Sequence, residues 1–387
     1  MFHTLKECRD SAHMLESRTR ERRPGTFYQE VLDLCQSGDI AAERISLRGM
    51  FEAFVGREAL EGLNPRNQGG NLLMEAGDTI DTGAFSNIFG QITYSAVLAR
   101  LDSPEFIADG LVSTEQAITQ GPEIVPGVGM IGDRAEDVGE GVEYPEVGLN
   151  EEYITIPRKV KDGFMLSITE ETVWEDNTGL VVQRMNAGAE ALGITREKEI
   201  LDTCLGITTS YSRNGGAQQA TYATTHTQGT FSNTGSNTLD DYTAIEAALL
   251  LFDAITDPNT GEPVLLSGTL QIVVPTALEF TLAKILTATE IREVTQTKYT
   301  TVGGNPLSGG RRGYEMVTSQ YVKNRTSSAA VWFIGDFKGA FGYREIWPIT
   351  VERNDTKDIR RDIVSQVRVR RKGVPFVREP RKVVKNT

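Results

Sequence analysis

The chain has 387 residues, of which 39% are hydrophobic and 24% charged, and its formal net charge is −13. These values are typical of a globular protein, and the length predicts more than one compact unit. The first 23 residues are too charged for a signal peptide, and the most apolar window, residues 244–255, is too short to cross a bilayer. The three cysteines form no Cys-x-x-Cys pair, which favours a reducing compartment. Composition therefore argues against secreted and membrane proteins.

Charge is distributed unevenly along the chain. Residues 121–176 contain 14 acidic and 4 basic side chains, whereas residues 353–387 contain 12 basic and 4 acidic ones. Opposite charge on two segments favours pairing within or between subunits. A plain solvated surface is one alternative. Nucleic-acid binding is another, and it is less favoured because the basic segment has Phe376 as its single aromatic residue.

The first third of the chain is predicted to be mainly helical. Residues 1–65 have the pattern of short helices interrupted at residues 22–25 and 36–39, where Pro and Gly occur. A polar link then leads to a further helical stretch over residues 85–101.

A glycine-rich segment follows, and it contains the motif "PGVGMIGD" with Gly127, Gly129 and Gly132 in G-x-G-x-x-G spacing. This spacing is that of a dinucleotide-binding turn, which also needs a strand before it and a helix after it. Neither flank has that pattern, and the acidic side chains that follow would repel a phosphate. Those side chains are Asp133, Glu136, Asp137, Glu140 and Glu143. The sequence therefore predicts a flexible loop.

The next segments predict a hairpin and a long helix. Residues 151–160 and 163–172 alternate like two strands, with a turn at Lys161–Gly163, so that loop and hairpin would form one projecting β-arm. Residues 175–206 then carry apolar side chains at helical spacing, which predicts a helix about 40 Å long. The polar stretch after it predicts a mobile loop or edge strand with His226 facing solvent.

The C-terminal half predicts alternating helices and strands. Thr238 and Asp241 form a capping box for a helix with an apolar stripe. The stretch "LQIVVP" predicts a buried strand that leads directly into another helix, and the following "TTVGGNPLSGGRRG" predicts a glycine-rich loop. The remaining segments, from "YEMVTSQYV" to "DIVSQVRVRRKGVPFV", alternate strand and turn.

No catalytic, cofactor-binding or metal-binding residue is predicted. His3, His13 and His226 have no partner by spacing, and the sequence contains no H-E-x-x-H, G-x-S-x-G or Walker motif. The paired carboxylates fit solvated ends and helix caps better than a glycosidase pair. The sequence therefore predicts a protein that is not an enzyme.

Three parts of the chain, taken in order, resemble the major capsid proteins of tailed phages, which have the Hong Kong 97 capsid fold. They are the acidic arm (118–172), the long helix (179–206), and "LQIVVPTALEFTLAKIL" followed by "VWFIGDFKGAFGYREIWPITVERND". The last part is the most specific, because an apolar strand ending in Gly-Asp, then a second and a terminal strand, is the usual close of these subunits. The resemblance covers about residues 70–385.

The resemblance implies an α+β fold with an N-terminal helical arm, an extended β-hairpin called the E-loop, a peripheral domain with a long spine helix, and an axial domain. The implied boundaries are 1–65 for the N-terminal helical segment, 66–117 for the N-arm and first peripheral helix, 118–172 for the E-loop, 173–206 for the spine helix, 207–340 for the axial domain and 341–387 for the C-terminal strands of the peripheral domain.

The resemblance also implies a function and partners. The chain would assemble with itself into pentamers and hexamers of an icosahedral shell around double-stranded DNA, without reading its sequence. Scaffolding, portal and decoration proteins would be further partners, no membrane would be involved, and assembly would take place in the host cytoplasm before the chain becomes part of the virion capsid. One alternative is an encapsulin-like compartment, and an alternative of another class is a cytosolic α/β nucleotide-binding enzyme.

Candidate residues for contacts between subunits come from the arm and the basic C-terminal segment. They are Gly127, Gly129, Gly132, Glu136, Asp137, Glu140, Glu143, Lys159, Lys161, Arg368, Arg370, Arg371 and Lys372. The glycines would let the arm bend, because glycine reaches positive φ at little steric cost. Some relatives cross-link an arm lysine to a neighbour's asparagine, and Lys159 and Lys161 lie in a similar place, but an ordinary salt-bridging role is favoured for them.

Overall fold

The structure is a computed structural model that describes residues 106–387 apart from short gaps. The gaps are 127–137, 139, 142, 144–152, 170–171, 173–179, 209–210, 227–230, 258–260, 267, 297–298, 308–311 and 355–362. The predicted helices within residues 1–65 and 85–101, and the glycine motif at 127–132, therefore lie outside the described residues. In the described part, no helix is both long and apolar enough to cross a membrane.

The described chain contains both helices and strands, and its sheets mix parallel with antiparallel pairs, which makes the fold α+β. The helices are α1 (Ala108–Leu111), α2 (Leu180–Cys204), α3 (Tyr242–Asp253), α4 (Glu279–Thr287), α5 (Gln320–Thr326) and α6 (Phe337–Ala340). The strands are β1 (Ser113–Gln116), β2 (Glu123–Pro126), β3 (Tyr153–Ile156), β4 (Val160–Thr169), β5 (Thr234–Gly235), β6 (Thr269–Pro275), β7 (Glu290–Gln296), β8 (Tyr299–Gly304), β9 (Gly313–Ser319), β10 (Trp332–Gly335), β11 (Phe341–Asn354), β12 (Ile363–Val377) and β13 (Val383–Asn386).

The chain divides into two compact units. In the part of the chain that the structure describes, the first comprises Lys161–Ile194 and Trp347–Arg371, and the second comprises the segment that ends at Val160, Thr195–Ile346 and Lys372–Thr387. In the first unit, β4, β12 and β11 lie side by side in that order. Leu192 of α2 and Val369 of β12 are the buried centre of this unit's described core, and three side chains pack around them. These are Phe164, Ile349 and Val351.

A five-stranded sheet is the centre of the second unit. Its strand order is β5-β13-β10-β6-β9, with β6 parallel to β9 and antiparallel to β10. Every residue of β6 after Thr269 is buried, because the sheet is covered on both faces. Each face of the sheet packs on its own apolar cluster, and successive residues of β10 alternate between them. Phe333 belongs to one cluster, whereas Trp332 and Ile334 belong to the other.

Several predicted elements are confirmed. The long helix is α2, whose 25 residues span about 37 Å. The buried strand that leads into a helix is β6 followed by α4, with a 3-10 turn between them. Asp241 caps α3, since its carboxylate accepts a hydrogen bond from the Thr243 amide at 2.9 Å. The predicted capping box was wrong for Thr238, because α3 begins at Tyr242, directly after Asp241.

The predicted turn at Lys161–Gly163 was wrong. Residues 160–169 form the continuous strand β4, which lies beside β12, whereas β3 pairs with β2. Gly163 is required by packing and not by a turn, because a Cβ atom there would lie 2.4 Å from the carbonyl oxygen of Val369. Asp162 likewise serves an ion pair, with Arg371 at 2.9 Å.

Two predicted loops also differ from the structure. The stretch from Thr300 to Gly304 belongs to β8, which pairs with β7 in an antiparallel hairpin. His226 is 2% exposed and does not face solvent. Its ring stacks on Phe231 and its Nε2 lies 3.0 Å from the Asn233 side-chain oxygen, so that the polar atom keeps a partner when it is buried. The predicted edge strand exists as β5.

Candidate assembly arm and the ionic cluster at its base

Strands β2 and β3 lie where the predicted arm would have its root. They pair antiparallel, with Glu123 opposite Ile156 and Pro126 opposite Tyr153. The chain therefore leaves this ribbon after Pro126 and returns to it directly opposite, at Tyr153. Residues 127–152 are consequently inserted at a single point of the second unit.

One face of the ribbon is buried in the second unit. Val125 and Ile156 form an apolar cluster with Val374 and Phe376 of β12. Full burial of an aliphatic side chain contributes about 1.5–3 kcal/mol, so these contacts stabilise the root substantially. The opposite face is open, and Ile124 is 67% exposed there.

Lys159, which lies between β3 and β4, binds the segment that enters β2. The Lys159 ammonium donates hydrogen bonds to the carbonyl oxygens of Thr119 and Gly121, at 2.9 and 3.1 Å, and to Glu123 Oε2 at 2.8 Å. Its side chain is 0% exposed. A lysine has three N–H donors, so every donor can be satisfied without water.

Arginines connect this lysine site to the neighbouring strands. Arg344 of β11 lies 3.2 Å from a carboxylate oxygen of Glu115, donates to the Gln116 carbonyl at 2.9 Å, and is 4.0 Å from the second carboxylate oxygen of Glu123. Arg378 also pairs with Glu115. These residues (Glu115, Glu123, Lys159, Arg344 and Arg378) are termed the arm-base cluster below.

The cluster keeps Glu123 ionised although the residue is buried. The hydrogen bond from Lys159 lowers the pKa of Glu123 below its usual value, and burial opposes this shift. The positive charges of Lys159 and Arg344 and a hydrogen bond from the Ile118 amide lower the pKa further. The site is therefore an ionic clamp at pH 7.

The predicted basic residues of the first unit are partly neutralised within the chain. Arg368 and Arg370 both pair with Glu352, and Arg370 also lies 4.5 Å from the ring centre of Trp347. Lys161 is exposed, with its ammonium 5.9 Å from the same ring centre. Arg371 is 2% exposed and pairs with Asp162, so it presents almost no surface.

The remaining predicted residues lie in the arm and the second unit. Five of them are outside the described residues: Gly127, Gly129, Gly132, Glu136 and Asp137. Glu140 and Glu143 are exposed. Lys372 donates a hydrogen bond to the Gln120 side chain at 3.1 Å. The salt-bridging role favoured for Lys159 is confirmed by its pair with Glu123.

Most of the arm-base cluster could not be predicted from the sequence. Glu115, Glu123, Arg344 and Arg378 are brought together by the parallel pairing of β1 with β11 and by β12, over separations of more than 200 residues in the case of Arg344 with Gln116. No local motif connects such positions. The available signal was the excess of acidic and basic residues in the two segments.

The chain matches the family model described as "Phage capsid protein" over residues 152–386, which is more than half of its length. No curated protein sequence matches it. The match confirms the predicted recognition, and the described helices and strands confirm the α+β class.

Solved structures give distant likenesses. The virus-like particle from Pyrococcus furiosus is 13% identical with a TM-score of 0.41, over 76% of this chain and 98% of that one. The capsid of the empty GTA particle is 12% identical with a TM-score of 0.42, over 74% and 90%. Gordonia phage Cozz is 14% identical with a TM-score of 0.43, over 73% and 86%. These likenesses are too distant to support an argument of their own. On the family match over residues 152–386, the chain belongs to the phage capsid protein family.

Proposed function

We propose that the chain is the major head subunit of a tailed phage or prophage and assembles with itself, as pentamers and hexamers, into an icosahedral shell. The observation that carries the proposal is the arm root. Residues 127–152 are inserted at one point of the second unit, on a ribbon held by an apolar cluster and by buried ion pairs. An insertion held so firmly at its root is suited to reach another subunit.

The arm would lie across a neighbouring copy, in a Hong Kong 97-like arrangement. In that arrangement the E-loop, predicted over residues 118–172, would be the arm 127–152 with its root. Residues 173–206 would be the spine helix, 207–340 the axial domain and 341–387 the C-terminal strands of the peripheral domain. Contacts of this kind join different surfaces of the two copies, and they repeat until symmetry closes the particle.

The acidic charge of the arm tip favours binding to a basic surface of a neighbouring subunit. The acidic side chains Glu136, Asp137, Glu140 and Glu143 would meet a neighbour's exposed basic residues, chiefly Lys161 and Arg368. Arg370 and Lys372 would add charge at the margin of that contact, whereas the burial of Arg371 leaves it a supporting role. Such contacts set specificity and association rate more than affinity, and salt weakens them.

The shell would enclose double-stranded DNA without reading its sequence. Scaffolding, portal and decoration proteins would be its further partners, and assembly would take place in the host cytoplasm. A structural role of this kind requires no catalytic residue, cofactor or metal.

Natively purified particles test the cargo. We expect nuclease-protected double-stranded DNA within them. Protein cargo without DNA would instead favour an encapsulin-like compartment. Calorimetric binding of a nucleotide by a monomer that never assembles would favour the α/β enzyme.

A further inference from the structure

We infer that Lys159 is a positioning residue, which fixes the direction in which the arm leaves the second unit. The inference rests on the proposed function, because the direction of the arm matters to assembly only if the arm reaches a neighbour. It assigns to Lys159 a role inside its own subunit, in place of a contact between subunits.

The ribbon alone does not fix this direction. Strands β2 and β3 have four residues each and pair with one another, and β3 also forms an isolated antiparallel bridge between Ile154 and Arg213. A two-stranded ribbon is marginally stable on its own, and its twist varies more than that of a larger sheet. The hydrogen bonds between β2 and β3 set their register, and β3 is held further by backbone hydrogen bonds from Thr155 to Ser212 and from Asn214 to Tyr153. These bonds restrain β3 alone, so the tilt of the whole ribbon depends on a further contact to the segment that enters β2.

Lys159 supplies that contact because it joins both ends of the root. It follows β3, and its three acceptors lie in the segment that enters β2, at Thr119, Gly121 and Glu123. Three acceptors within 2.8–3.1 Å of one nitrogen restrict its position in three directions. Lys159 thereby holds the segment that enters β2 and the segment that leaves β3 at a fixed separation, at the end of the ribbon opposite the arm tip.

The arm-base cluster transmits this restraint to the sheet. One carboxylate oxygen of Glu123 accepts a hydrogen bond from Lys159, and the other lies near Arg344. Arg344 in turn pairs with Glu115. Arg344 and Glu115 belong to β11 and β1, which pair in parallel. The arm-base cluster therefore fixes the tilt of the ribbon relative to strands β1 and β11 of the second unit.

Burial makes the clamp resistant to opening. The Lys159 side chain is 0% exposed and Glu123 is 8% exposed, so separating them would leave two unpaired charges away from water. That state is strongly unfavourable, whereas an exposed pair opens at little cost. The same burial prevents Lys159 from contacting another subunit directly. Lys161, two residues later, is exposed and provides a matched control.

The test compares three variants of the full chain with the wild type. Lys159→Met removes the clamp but leaves Glu123 buried without its main partner. Lys159→Met combined with Glu123→Gln removes both charges, so it keeps the clamp testable if the single variant fails to fold. Lys161→Met removes an equivalent charge outside the clamp. Amide hydrogen exchange is followed by mass spectrometry, and particles are imaged by negative-stain electron microscopy.

We expect exchange in residues 123–126 and 153–156 to become about tenfold faster in both Lys159 variants, the size of effect that loss of a hydrogen bond to a charged group predicts. Exchange in β6 and β10 should stay within about twofold of the wild type. Particles of the double variant should be broader in diameter or open, and Lys161→Met should match the wild type in the exchange of the ribbon.

Two results would overturn the inference: wild-type exchange in the ribbon of the double variant, or faster exchange with uniform wild-type particles. A wild-type chain that forms no particles under any condition would contradict the proposed function instead. In that case, amide exchange in the ribbon alone would show whether Lys159 restrains β2 and β3.

Discussion

At the scale of single residues, Glu123 makes the arm root sensitive to acid. Its pKa is lowered in the folded chain, chiefly by the hydrogen bond from Lys159, so its ionised form stabilises the fold. This contribution is complete above the pKa of the unfolded chain, about 4.5, and is lost as the pH falls through the lower folded value.

We therefore expect Glu123→Gln to reduce the free energy of unfolding by about 1–3 kcal/mol at pH 7, and by much less near pH 3. Urea denaturation at both pH values measures the difference. An equal loss at both values would mean that the ionised carboxylate contributes nothing.

Two of the three arginines of β12 in the first unit, Arg371 and Arg368, give a second prediction. Arg371 is 2% exposed and pairs with Asp162, whereas the side chain of Arg368 is 47% exposed. We expect Arg371→Ala to cost about 3 kcal/mol, because it strands a partly buried carboxylate, and Arg368→Ala at most about 1 kcal/mol. Chemical denaturation checks both values, and similar losses for the two variants would contradict the assigned roles.

Residue roles were harder to predict than residue types. The Lys161–Gly163 segment has the composition of a turn, and the sequence cannot show that Asp162 is needed for Arg371 or that Gly163 is needed for the close approach of Val369. His226 was misjudged for a similar reason, since its polar partner Asn233 is itself held by the carbonyls of Thr221 and Pro380. Local composition carries no information on such partners.

Among the helices and strands, sequence periodicity predicted those elements whose apolar residues follow a regular local spacing. Helix α2 was predictable from helical spacing, and β6 from its continuous apolar run, which both covered faces require. Strand pairing was not predictable. The pairing of β2 with β3 across 26 residues, and the place of β4 beside β12, depend on contacts between distant segments.

Gly163 tests the corrected position of β4. A Cβ atom at this position would lie 2.4 Å from the Val369 carbonyl oxygen, while one at Gly121 would meet nothing within 4 Å. We expect Gly163→Ala to lower the free energy of unfolding by about 1–3 kcal/mol because β4 and β12 must separate. Gly121→Ala is the control and should change it by less than about 0.5 kcal/mol. Thermal melting followed by circular dichroism measures both, and a neutral Gly163→Ala would mean that β4 does not lie against β12.

At the scale of the whole molecule, the arm separates folding from assembly. Gly127, Gly129 and Gly132 follow the root directly, and we propose that they let the arm bend to neighbours in slightly different settings. Replacing all three by alanine should leave circular dichroism unchanged and impair closure into uniform particles, which sedimentation measures. Normal closure by this variant, together with loss of a nucleotide that the wild type binds, would instead support a dinucleotide loop.

The acidic tip makes a separate prediction for assembly. If Glu136–Glu146 meets a neighbour's basic side chains, shortening this run should flatten the dependence of assembly on salt between low and physiological ionic strength. Sedimentation at several salt concentrations measures the slope. A slope equal to that of the wild type would show that these charges are not at the contact.

We propose that this capsid protein forms a closed shell through its arm, and negative-stain electron microscopy of the purified full chain is the decisive experiment. We expect closed particles or ring-shaped capsomers, with or without a scaffolding partner. Monodisperse monomers at every protein concentration and salt concentration, also in the presence of such a partner, would contradict it.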